Sequence, residues 1–553
     1  MTIRGLLERN VESHGGDVAL TWCQDKVWKN RTWSEWLARV RDLAEGYGAR
    51  FALKPGKENV AIILGNSPEW MESYLAQSGA GLAVVPLDPK LHEAEVEYIL
   101  NDAEAVVVTT DKAHLRMMMA LVPRLPRLRG IVVTDGVIFE GQKIGDAAVV
   151  GYDRLRISGG GAWYDAHVAA DEDVASIIYT SGTTGKPKGA MLTHRNFVSD
   201  AEGALATFGA DLSPKDSFLV VLPLFHAFSF NVNFVVTMMV GSQMQFVESL
   251  RTVGRDIKIL KPSVLIAVPL LAEKLCEKIE QGIQESRIAR FLLKIGLRGP
   301  VMHMVLMKLG GRLRYMITGG APCPRHVLES FRRLHVRFHE GYGLTECAPI
   351  VSVTASDCRR IGTIGSPCAG IEVRLADKNE NGVGELQVRG PNVMKGYFHN
   401  EKATREAFDG DWLATGDLAS MDEEGLITIR GRKKALIVNR EGKNIYPEEV
   451  ENVISKDPAV QDIIVVGYTQ GGVPGERVGA IAYPDEEWFA AQNGGVKPGW
   501  DEMEKILSKH VQERSAELAD YKRVRKVVVS HEPLERTSVG KVRRVTYKGR
   551  LDE

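Results

Sequence analysis

The chain has 553 residues, of which 44% are hydrophobic and 25% are charged. This length predicts several domains, and the composition excludes a disordered chain, a collagen and a disulfide-stapled mini-protein. The 70 lysines and arginines balance 71 aspartates and glutamates, which argues against a strongly basic nucleic-acid-binding protein. The six cysteines form no CxxC pair, so we expect reduced thiols in a cytoplasmic protein and no common zinc site.

Short apolar runs alternate with helical patterns over the first 360 residues. The predicted strands cover residues 60–64, 105–109, 130–134 and 175–179. Ser67 is the expected N-cap, and Pro68 the first residue, of a helix that runs to about Ala80, and a second helix covers residues 93–100. This alternation predicts parallel sheets joined by crossover helices.

Ser217–Val247 contains no Asp, Glu, Lys or Arg and is long enough to span a bilayer. It also contains Pro223, His226 and several amides, whose polar groups are costly in hydrocarbon. We therefore expect a buried strand, a turn and a helix, and the sharper alternative is a helix that lines an apolar ligand pocket. Peripheral membrane association is left open, although the sequence reveals no convincing exposed amphipathic helix.

The pattern changes near residue 360, where short strands punctuated by glycine begin. A further unit with its own strand and helix pattern follows residues 431–434. We predict an α/β fold with a large N-terminal domain (1–430), which includes a small β-rich subdomain at about 360–430, and a small α+β C-terminal domain (435–553). Residues 521–550 contain ten basic and two acidic residues, which indicates either a solvated surface or a face for a polyanionic ligand.

The strongest local motif is the string YTSGTTGKPKG at residues 179–189, which directly follows the strand at 175–179. Glycines let the backbone turn sharply, hydroxyls and backbone N–H groups can donate to anionic oxygens, and Lys186 and Lys188 add positive charge. These features predict a phosphate-binding loop. It is not a Walker A loop, because no Gly-Lys in the chain precedes Ser or Thr.

The string resembles the phosphate loop of the adenylate-forming enzymes, which include acyl-CoA synthetases, nonribosomal-peptide adenylation domains and firefly-type luciferases. Six further stretches resemble the same family in the expected order. They lie at residues 318–322, 340–346, 412–417, 431–434, 442–451 and 540–541. The resemblance therefore extends over essentially the whole chain.

The resemblance implies an ATP site with Mg²⁺. The residues that it assigns to ATP or AMP binding are Thr180, Ser181, Gly182, Thr183, Thr184, Gly185, Lys186, Lys188, Gly319, Gly320, Ala321, Tyr342, Gly343, Asp417 and Arg432. It further implies that Glu346 helps to hold the metal, that Thr345 contacts the α-phosphate, and that Lys541 bridges the substrate carboxylate and the α-phosphate. Taken singly, Asp417 could be a turn residue, Tyr342 a core aromatic and Lys541 a surface lysine.

The family runs two reactions in one site, and the resemblance implies both. A carboxylate and ATP first give an acyl-adenylate and pyrophosphate, and a thiol then attacks the adenylate. Lys434 matches the hinge about which a mobile C-terminal domain turns, so residues 431–434 are the predicted hinge. Gly442 matches the loop beside the pantetheine arm of coenzyme A, the predicted acceptor substrate.

Within this superfamily the chain most resembles long-chain fatty acyl-CoA synthetases. The stretches that carry this likeness are 222–228, 261–271 and 390–397. Phe225, His226, Phe228 and Val268 are the predicted acyl-pocket residues, although aromatic residues at such spacing also fill ordinary cores. The chain departs from the family at Cys347, where Ser or Thr is usual.

We therefore predict an ATP-dependent, AMP-forming acyl-CoA synthetase for a medium- or long-chain fatty acid. The alternatives are an acyl-ACP synthetase or a fatty acyl-AMP ligase, for which a carrier protein is the acceptor, and a catalytically inactive sensor of acyl or adenylate ligands. The predicted partners are small-molecule substrates, with acyl carrier protein retained as the alternative acceptor. The sequence predicts no nucleic-acid partner and leaves the oligomeric state open.

Overall fold

A computed structural model describes residues 1–136, 141–180, 186–209, 211–355, 360–441, 443–469, 475–536 and 542–552. Within it the chain forms two compact units. The first unit contains Met1–Glu372 and Val388–Leu413, and the second contains Val373–Gln387 and Ala414–Glu553. The hinge at residues 431–434 and the domain limits expected from the sequence remain predictions.

The first unit contains a nine-stranded sheet. In spatial order its strands are Ser366–Pro367, Ile350–Val353, Arg337–Gly343, Tyr315–Gly319, Val264–Ala267, Ser217–Val220, Gln243–Phe246, Val18–Gln24 and Val27–Thr32. The six strands from Arg337–Gly343 to Val18–Gln24 are parallel. The central strands are buried along their whole length, as expected for a parallel sheet covered on both faces.

A second, eight-stranded sheet also lies in the first unit. In spatial order its strands are Lys188–Thr193, Val174–Thr180, Ala83–Leu87, Asn59–Ile63, Ala105–Thr110, Gly130–Val133, Ala147–Gly151 and Lys143–Ile144. All inner pairs are parallel, and only the two edge pairs are antiparallel. The four strands predicted from the sequence are confirmed, and all belong to this sheet.

Helices connect the strands and cover the sheets of the first unit. They are Ile3–His14, Trp33–Phe51, Pro68–Ser78, Glu93–Asp102, Lys112–Leu121, Tyr152–Leu155, Ala162–Ala166, His194–Phe208, Ala227–Ser229, Val236–Val240, Val253–Leu260, Pro269–Glu285, Arg287–Lys294, Arg298–Lys308, Arg325–Arg333 and Glu401–Ala407. The helix predicted at Pro68 begins there, because the Ser67 hydroxyl accepts a hydrogen bond from the Trp70 N–H group.

The uncharged stretch at residues 217–247 is a buried strand, a turn and a helical segment, as predicted. The helical segment contains the π-helical turn Phe230–Val235, and the stretch ends in the strand Gln243–Phe246. Phe230 and Phe234 pack against Tyr74, with ring centroids 4.7 and 5.8 Å apart. Among the described residues, no helix is long and apolar enough to cross a membrane.

The second unit is smaller and richer in β-structure near its start. A five-stranded sheet, most of which lies in this unit, contains Glu372–Ala376, Gly384–Arg389, Trp412–Met421, Phe408–Asp409 and Ile427–Arg432. Beyond it lie the strand pair Ile437–Val438 and Asn444–Ile445, a sheet of Val460–Tyr468, Arg477–Pro484 and Lys526–Val529, and the helices Pro447–Ile454, Glu486–Gln492 and Trp500–Ser515. The predicted α/β fold with a smaller C-terminal domain is thus confirmed.

Candidate nucleotide and acyl site

Four neighbouring parallel strands of the nine-stranded sheet end at one edge, and the predicted adenine and acyl residues lie at these ends or directly after them. In spatial order the segments contain Tyr342, Gly343, Thr345 and Glu346, then Gly319, Gly320 and Ala321, then Val268, and then Phe225, His226 and Phe228. Ligands of open parallel sheets bind outside the carboxyl ends of the strands. The fold therefore brings the predicted adenine and acyl residues to the same edge.

Two glycines at this edge let the chain pass close to its neighbours, and a side chain would be tight at Gly319 and would not fit at Gly343. A Cβ atom on Gly319 would lie 3.1 Å from the Phe228 ring and 3.2 Å from the Gly341 carbonyl oxygen. A Cβ atom on Gly343 would lie 1.8 Å from the Pro349 carbonyl oxygen. The backbone predicted to approach the purine therefore also contacts a ring predicted to line the acyl pocket.

The phosphate-loop motif closes a hairpin between two strands of the eight-stranded sheet. Thr180 pairs with Lys188 across the hairpin, and residues 181–185 between them lie outside the described part of the chain. The Lys186 ammonium lies 5.2 Å from the centre of the Tyr98 ring. The Tyr98 hydroxyl donates to the Pro187 carbonyl oxygen at 3.1 Å, so one helix residue supports the loop at two points.

Tyr397 connects the second lysine of the motif to Glu346. The Lys188 ammonium lies 5.1 Å from the Tyr397 ring centre, and the Tyr397 hydroxyl donates to Glu346 Oε1 at 2.8 Å. Burial, together with the Glu346 carboxylate, raises the pKa of the Tyr397 phenol well above its usual value, so the phenol keeps its proton. The sequence analysis did not assign Tyr397 to the site, although Tyr397 lies in the stretch 390–397, which carries part of the family resemblance.

A buried polar layer, consisting of Asp200, Asn231 and Asn392, lies beneath the Glu346 turn. The Asp200 carboxylate accepts hydrogen bonds from the Ile350 N–H group at 3.0 Å, from the Asn392 amide at 3.2 Å and from the Asn231 amide. The Asn231 amide also donates to the Ala348 carbonyl oxygen at 2.7 Å. Burial raises the pKa of Asp200 well above its usual range.

This layer fixes the backbone that carries Thr345 and Glu346. Asn392 donates to the Cys347 carbonyl oxygen at 2.9 Å, and the Cys347 side chain is completely buried. A completely buried position suits a free thiol, which behaves as a small apolar group. The departure from the family at Cys347 therefore affects packing below the turn and changes no group that faces the strand ends.

The predicted acyl-pocket side of the edge is apolar. The Phe225 and His226 rings lie 4.5 Å apart between centroids, and burial lowers the pKa of His226 to about 4. His226 is therefore neutral at pH 7. Val268 is the N-cap of the helix Pro269–Glu285 and is partly buried at this edge.

The second unit contains the predicted ribose-binding pair. Asp417 and Arg432 face each other on neighbouring strands, and Arg432 Nε lies 2.7 Å from Asp417 Oδ1. Asp417 is 4% exposed, and its N–H group donates to the Thr415 hydroxyl at 3.1 Å. Lys434, the predicted hinge residue, is exposed in the turn Lys433–Ala435 of the same unit.

Sequence profiles of one family match both parts of the chain. The profile described as AMP-binding enzyme matches residues 7–398, and the profile described as AMP-binding enzyme C-terminal domain matches residues 449–541.

The chain belongs to the AMP-binding enzyme family. The resemblance found in the motifs is thereby confirmed. Of the residues that this resemblance assigned, Ser181, Gly182, Thr183, Thr184, Gly185, Gly442 and Lys541 lie outside the described residues. Their roles, like those of the other assigned residues, remain predictions.

Several relatives of this chain are named long-chain-fatty-acid–CoA ligases. The protein FadD15 of Mycobacterium bovis is 31% identical over 84% of this chain and 79% of its own length. Long-chain-fatty-acid–CoA ligase 1 of Homo sapiens is 32% identical over 85% of this chain and 72% of its own. The Escherichia coli long-chain-fatty-acid–CoA ligase is 32% identical over 79% of this chain and 77% of its own.

Solved structures share the fold at lower sequence identity. The anthranilate CoA ligase AuaEII, in complex with anthranoyl-AMP, has a TM-score of 0.78 at 23% identity and covers 99% of this chain and 96% of its own. A Mycobacterium tuberculosis fatty acyl CoA synthetase has a TM-score of 0.66 at 23% identity and covers 100% of this chain and 98% of its own. These likenesses extend over both units.

Glu346 fits the weak protein coordination that Mg²⁺ adopts beside a nucleotide. Mg²⁺ in such sites is held by one or two carboxylates, by phosphates and by water. Among the described residues, no three His, Cys, Asp or Glu side chains cluster as a complete metal site. A partly exposed carboxylate, with one oxygen oriented by Tyr397, is the kind of single ligand that a nucleotide-bound Mg²⁺ needs.

Proposed function

We propose that the protein is an ATP-dependent, AMP-forming acyl-CoA synthetase that activates a medium- or long-chain fatty acid. Family membership and the names of the relatives support this function. The observation that carries it is the Lys188–Tyr397–Glu346 contact, in which one phenol ring separates a lysine from a carboxylate. A lysine that can bind phosphate oxygens and a carboxylate that can bind hydrated Mg²⁺ are thus neighbours.

In the first half-reaction, a carboxylate oxygen of the fatty acid attacks the α-phosphorus of ATP. The bond to the pyrophosphate oxygen breaks, and the products are an acyl-adenylate and pyrophosphate. Lys186 and Lys188 compensate phosphate charge, and Thr345 contacts the α-phosphate. Mg²⁺, when bound, reduces the repulsion between the anions, and Glu346 is the carboxylate that holds it, oriented by Tyr397.

The remaining ATP contacts come from residues with fitting chemistry. Tyr342 offers an aromatic face to adenine, beside the backbone of Gly319, Gly320 and Ala321. In the second unit, Asp417 offers acceptor oxygens to the ribose hydroxyls, and Arg432 contacts the same sugar. Lys541 bridges the carboxylate and the α-phosphate as a point charge.

In the second half-reaction, the thiol of coenzyme A loses its proton to solvent and its sulfur attacks the acyl carbonyl carbon. The bond between this carbon and the phosphate oxygen breaks, and AMP leaves with the electron pair. The C-terminal domain turns about Lys434 between the two half-reactions, and Gly442 lies beside the pantetheine arm. Phe225, the neutral His226, Phe228 and Val268 line the acyl pocket. A neutral, largely apolar wall suits a hydrocarbon chain.

The test is release of AMP and pyrophosphate from MgATP over a series of fatty acids from short to long, with and without coenzyme A. The proposal expects turnover that depends on coenzyme A and is greatest for a medium or long chain. If an adenylate forms and an acyl carrier protein, but not coenzyme A, releases AMP from it, the acceptor is the carrier protein. Adenylate formation with neither acceptor would indicate a ligase that stops at the adenylate. Turnover of aromatic acids alone would overturn the substrate class.

A further inference from the structure

The helix Glu93–Asp102 carries Tyr98 and Asp102 on one face, and both side chains contact the hairpin of the phosphate loop. Residues four apart on a helix are neighbours on its surface. The Tyr98 hydroxyl donates to the Pro187 carbonyl oxygen at 3.1 Å, and the Tyr179 hydroxyl donates to Asp102 Oδ2 at 2.6 Å. One helix therefore bonds to both arms of the hairpin, directly before the loop and directly after it.

The contacts on both sides of this helix are firm. Its apolar residues are buried in the core beside the eight-stranded sheet: Val96, Ile99 and Leu100. On the hairpin, a Cβ atom at Gly189 would lie 3.0 Å from the Tyr179 ring, so the glycine leaves room for that ring. Burial, together with the Asp102 carboxylate, raises the pKa of the Tyr179 phenol, which therefore remains a donor.

The Tyr98 ring also places the first lysine of the motif. The Lys186 ammonium lies 5.2 Å from the ring centre, a distance at which the aromatic face attracts a cation. The ring occupies one side of the ammonium group, and an ammonium has three N–H donors, so phosphate oxygens can still be bound. A lysine that is already positioned loses less rotamer entropy on binding, which favours affinity.

We propose that Tyr98 and Asp102 are positioning residues for the two outer phosphates of ATP. Neither contacts the substrate, and they act through Lys186 and the two arms of the hairpin. The inference rests on the ATP site of the proposed function, in which Thr345 and Lys541 contact the α-phosphate. The β- and γ-phosphates are then the charge that remains for Lys186, and AMP has neither of them. Loss of Tyr98 or Asp102 should therefore weaken binding of ATP and leave binding of AMP unchanged.

The test is calorimetric binding of MgATP and of AMP to the full-length protein, without a fatty acid. Tyr98→Phe removes the hydrogen bond and keeps the ring, so the Kd for MgATP should rise about fivefold. Tyr98→Leu removes both contacts and should raise this Kd about twentyfold. Asp102→Ala should raise it about fivefold, and Asp102→Asn, which keeps an acceptor oxygen for Tyr179, should restore most of the affinity.

Tyr521→Leu is the matched control in the second unit, where the Tyr521 ring lies 4.8 Å from the Lys443 ammonium. This variant should bind both nucleotides as the unaltered protein does. Equal weakening of ATP and AMP binding in Tyr98→Phe would indicate a general structural defect and overturn the positioning role. Tighter ATP binding by Tyr98→Leu would overturn it as well, because the ring would then hold Lys186 away from phosphate.

The binding measurement separates this inference from the rest of the proposed function. Neither an acid nor coenzyme A is present, so a wrong acyl substrate or a wrong acceptor would leave the expected pattern of nucleotide affinities intact. Absence of ATP binding by the unaltered protein would overturn both proposals.

Discussion

The buried polar layer and the exposed helix Arg287–Lys294 belong to the same unit and treat polar groups in opposite ways. Asp200 in the layer accepts three hydrogen bonds, and its carboxylate is shielded completely from solvent. The cations of the helix have no acidic partner among the described residues and lie in solvent. A buried carboxyl group with internal donors thus holds a turn in place, whereas the exposed cations remain available to an external partner.

This difference distinguishes groups that position the site from groups that can bind a ligand. Both carboxylate oxygens of Asp200 accept hydrogen bonds inside the protein, so we expect this residue to hold the Glu346 turn in place without contacting substrate. Tyr397 lies between these extremes, because its hydroxyl is committed to Glu346 while its ring faces Lys188. The following predictions test this ordering, from the largest expected effect to the smallest.

Lys541→Ala should have the largest effect, because this lysine has the most direct proposed contact with the reacting atoms. We expect adenylate formation to fall about a hundredfold to a thousandfold, as when a transition-state donor is removed. Attack of coenzyme A on supplied acyl-adenylate should persist. The two half-reactions are measured separately, by pyrophosphate release and by acyl-CoA formation. Equal loss of both would contradict the bridging role.

Acid should destabilise the interior of the first unit through histidines that cannot become charged there. His194 and His339 are fully buried, and burial lowers the pKa of each to about 4. The unfolded chain binds these protons near pH 6.5, so stability is present above that pH and is lost as the pH falls towards 4. Each histidine should contribute a loss of roughly 3 kcal/mol at pH 4.

The check is the urea midpoint of unfolding between pH 7 and 4.5 for the unaltered protein and for H194N/H339N. The urea midpoint of the variant should be lower at pH 7 and should change less with pH, because two titrating groups are gone. Parallel profiles for the two proteins would show that other groups account for the acid sensitivity.

Tyr397→Phe removes the hydrogen bond to Glu346 and keeps the ring beside Lys188. Hydrogen bonds to charged groups contribute about 1.5–3 kcal/mol, so we expect kcat/KM to fall at least about tenfold. Half-saturation should also require more Mg²⁺, which a general loss of stability would not produce. Tyr483→Phe is the matched control, since Tyr483 donates to Glu486 at 3.2 Å in the second unit. An unchanged Mg²⁺ dependence in Tyr397→Phe would show that Tyr397 does not orient the carboxylate that holds Mg²⁺.

The smallest effect is expected from R287Q/R290Q/K294Q, which changes three exposed cations of the helix Arg287–Lys294. Exposed, unpaired side chains contribute little to folding, so the free energy of unfolding should change by less than about 0.5 kcal/mol. Turnover of a water-soluble short acid, if the protein accepts one, should be unchanged. Marked destabilisation, measured by urea unfolding, would show that these cations have partners within the fold.

Sequence reasoning succeeded where the determining interactions are local. The start of the helix at Pro68 followed from a hydroxyl and an N–H group three residues apart, and the strands followed from continuous apolar runs. The motif resemblance found the family because its residues stand in an ordered series. The contact of Tyr397 with Glu346 joins positions 51 residues apart, and no local pattern predicts it.

The exposed helix Arg287–Lys294 shows a second limit of prediction from the sequence. The periodicity of residues 287–295 is that of an amphipathic helix, and such helices usually turn their apolar side towards a core. Which side faces inward depends on the neighbours that the fold supplies. Here Ala289 is buried and Phe291 is exposed, and the sequence alone could not decide this.

The buried polar layer also sets a condition for redesigning substrate preference. Its three side chains come from positions 200, 231 and 392, and position 231 lies in the segment that carries most of the predicted acyl-pocket residues. A chimera that exchanges this segment keeps the contact with Asp200 only where the donor sequence also has asparagine at position 231. Chain-length engineering should therefore transplant the pocket residues around Asn231 and leave that asparagine in place.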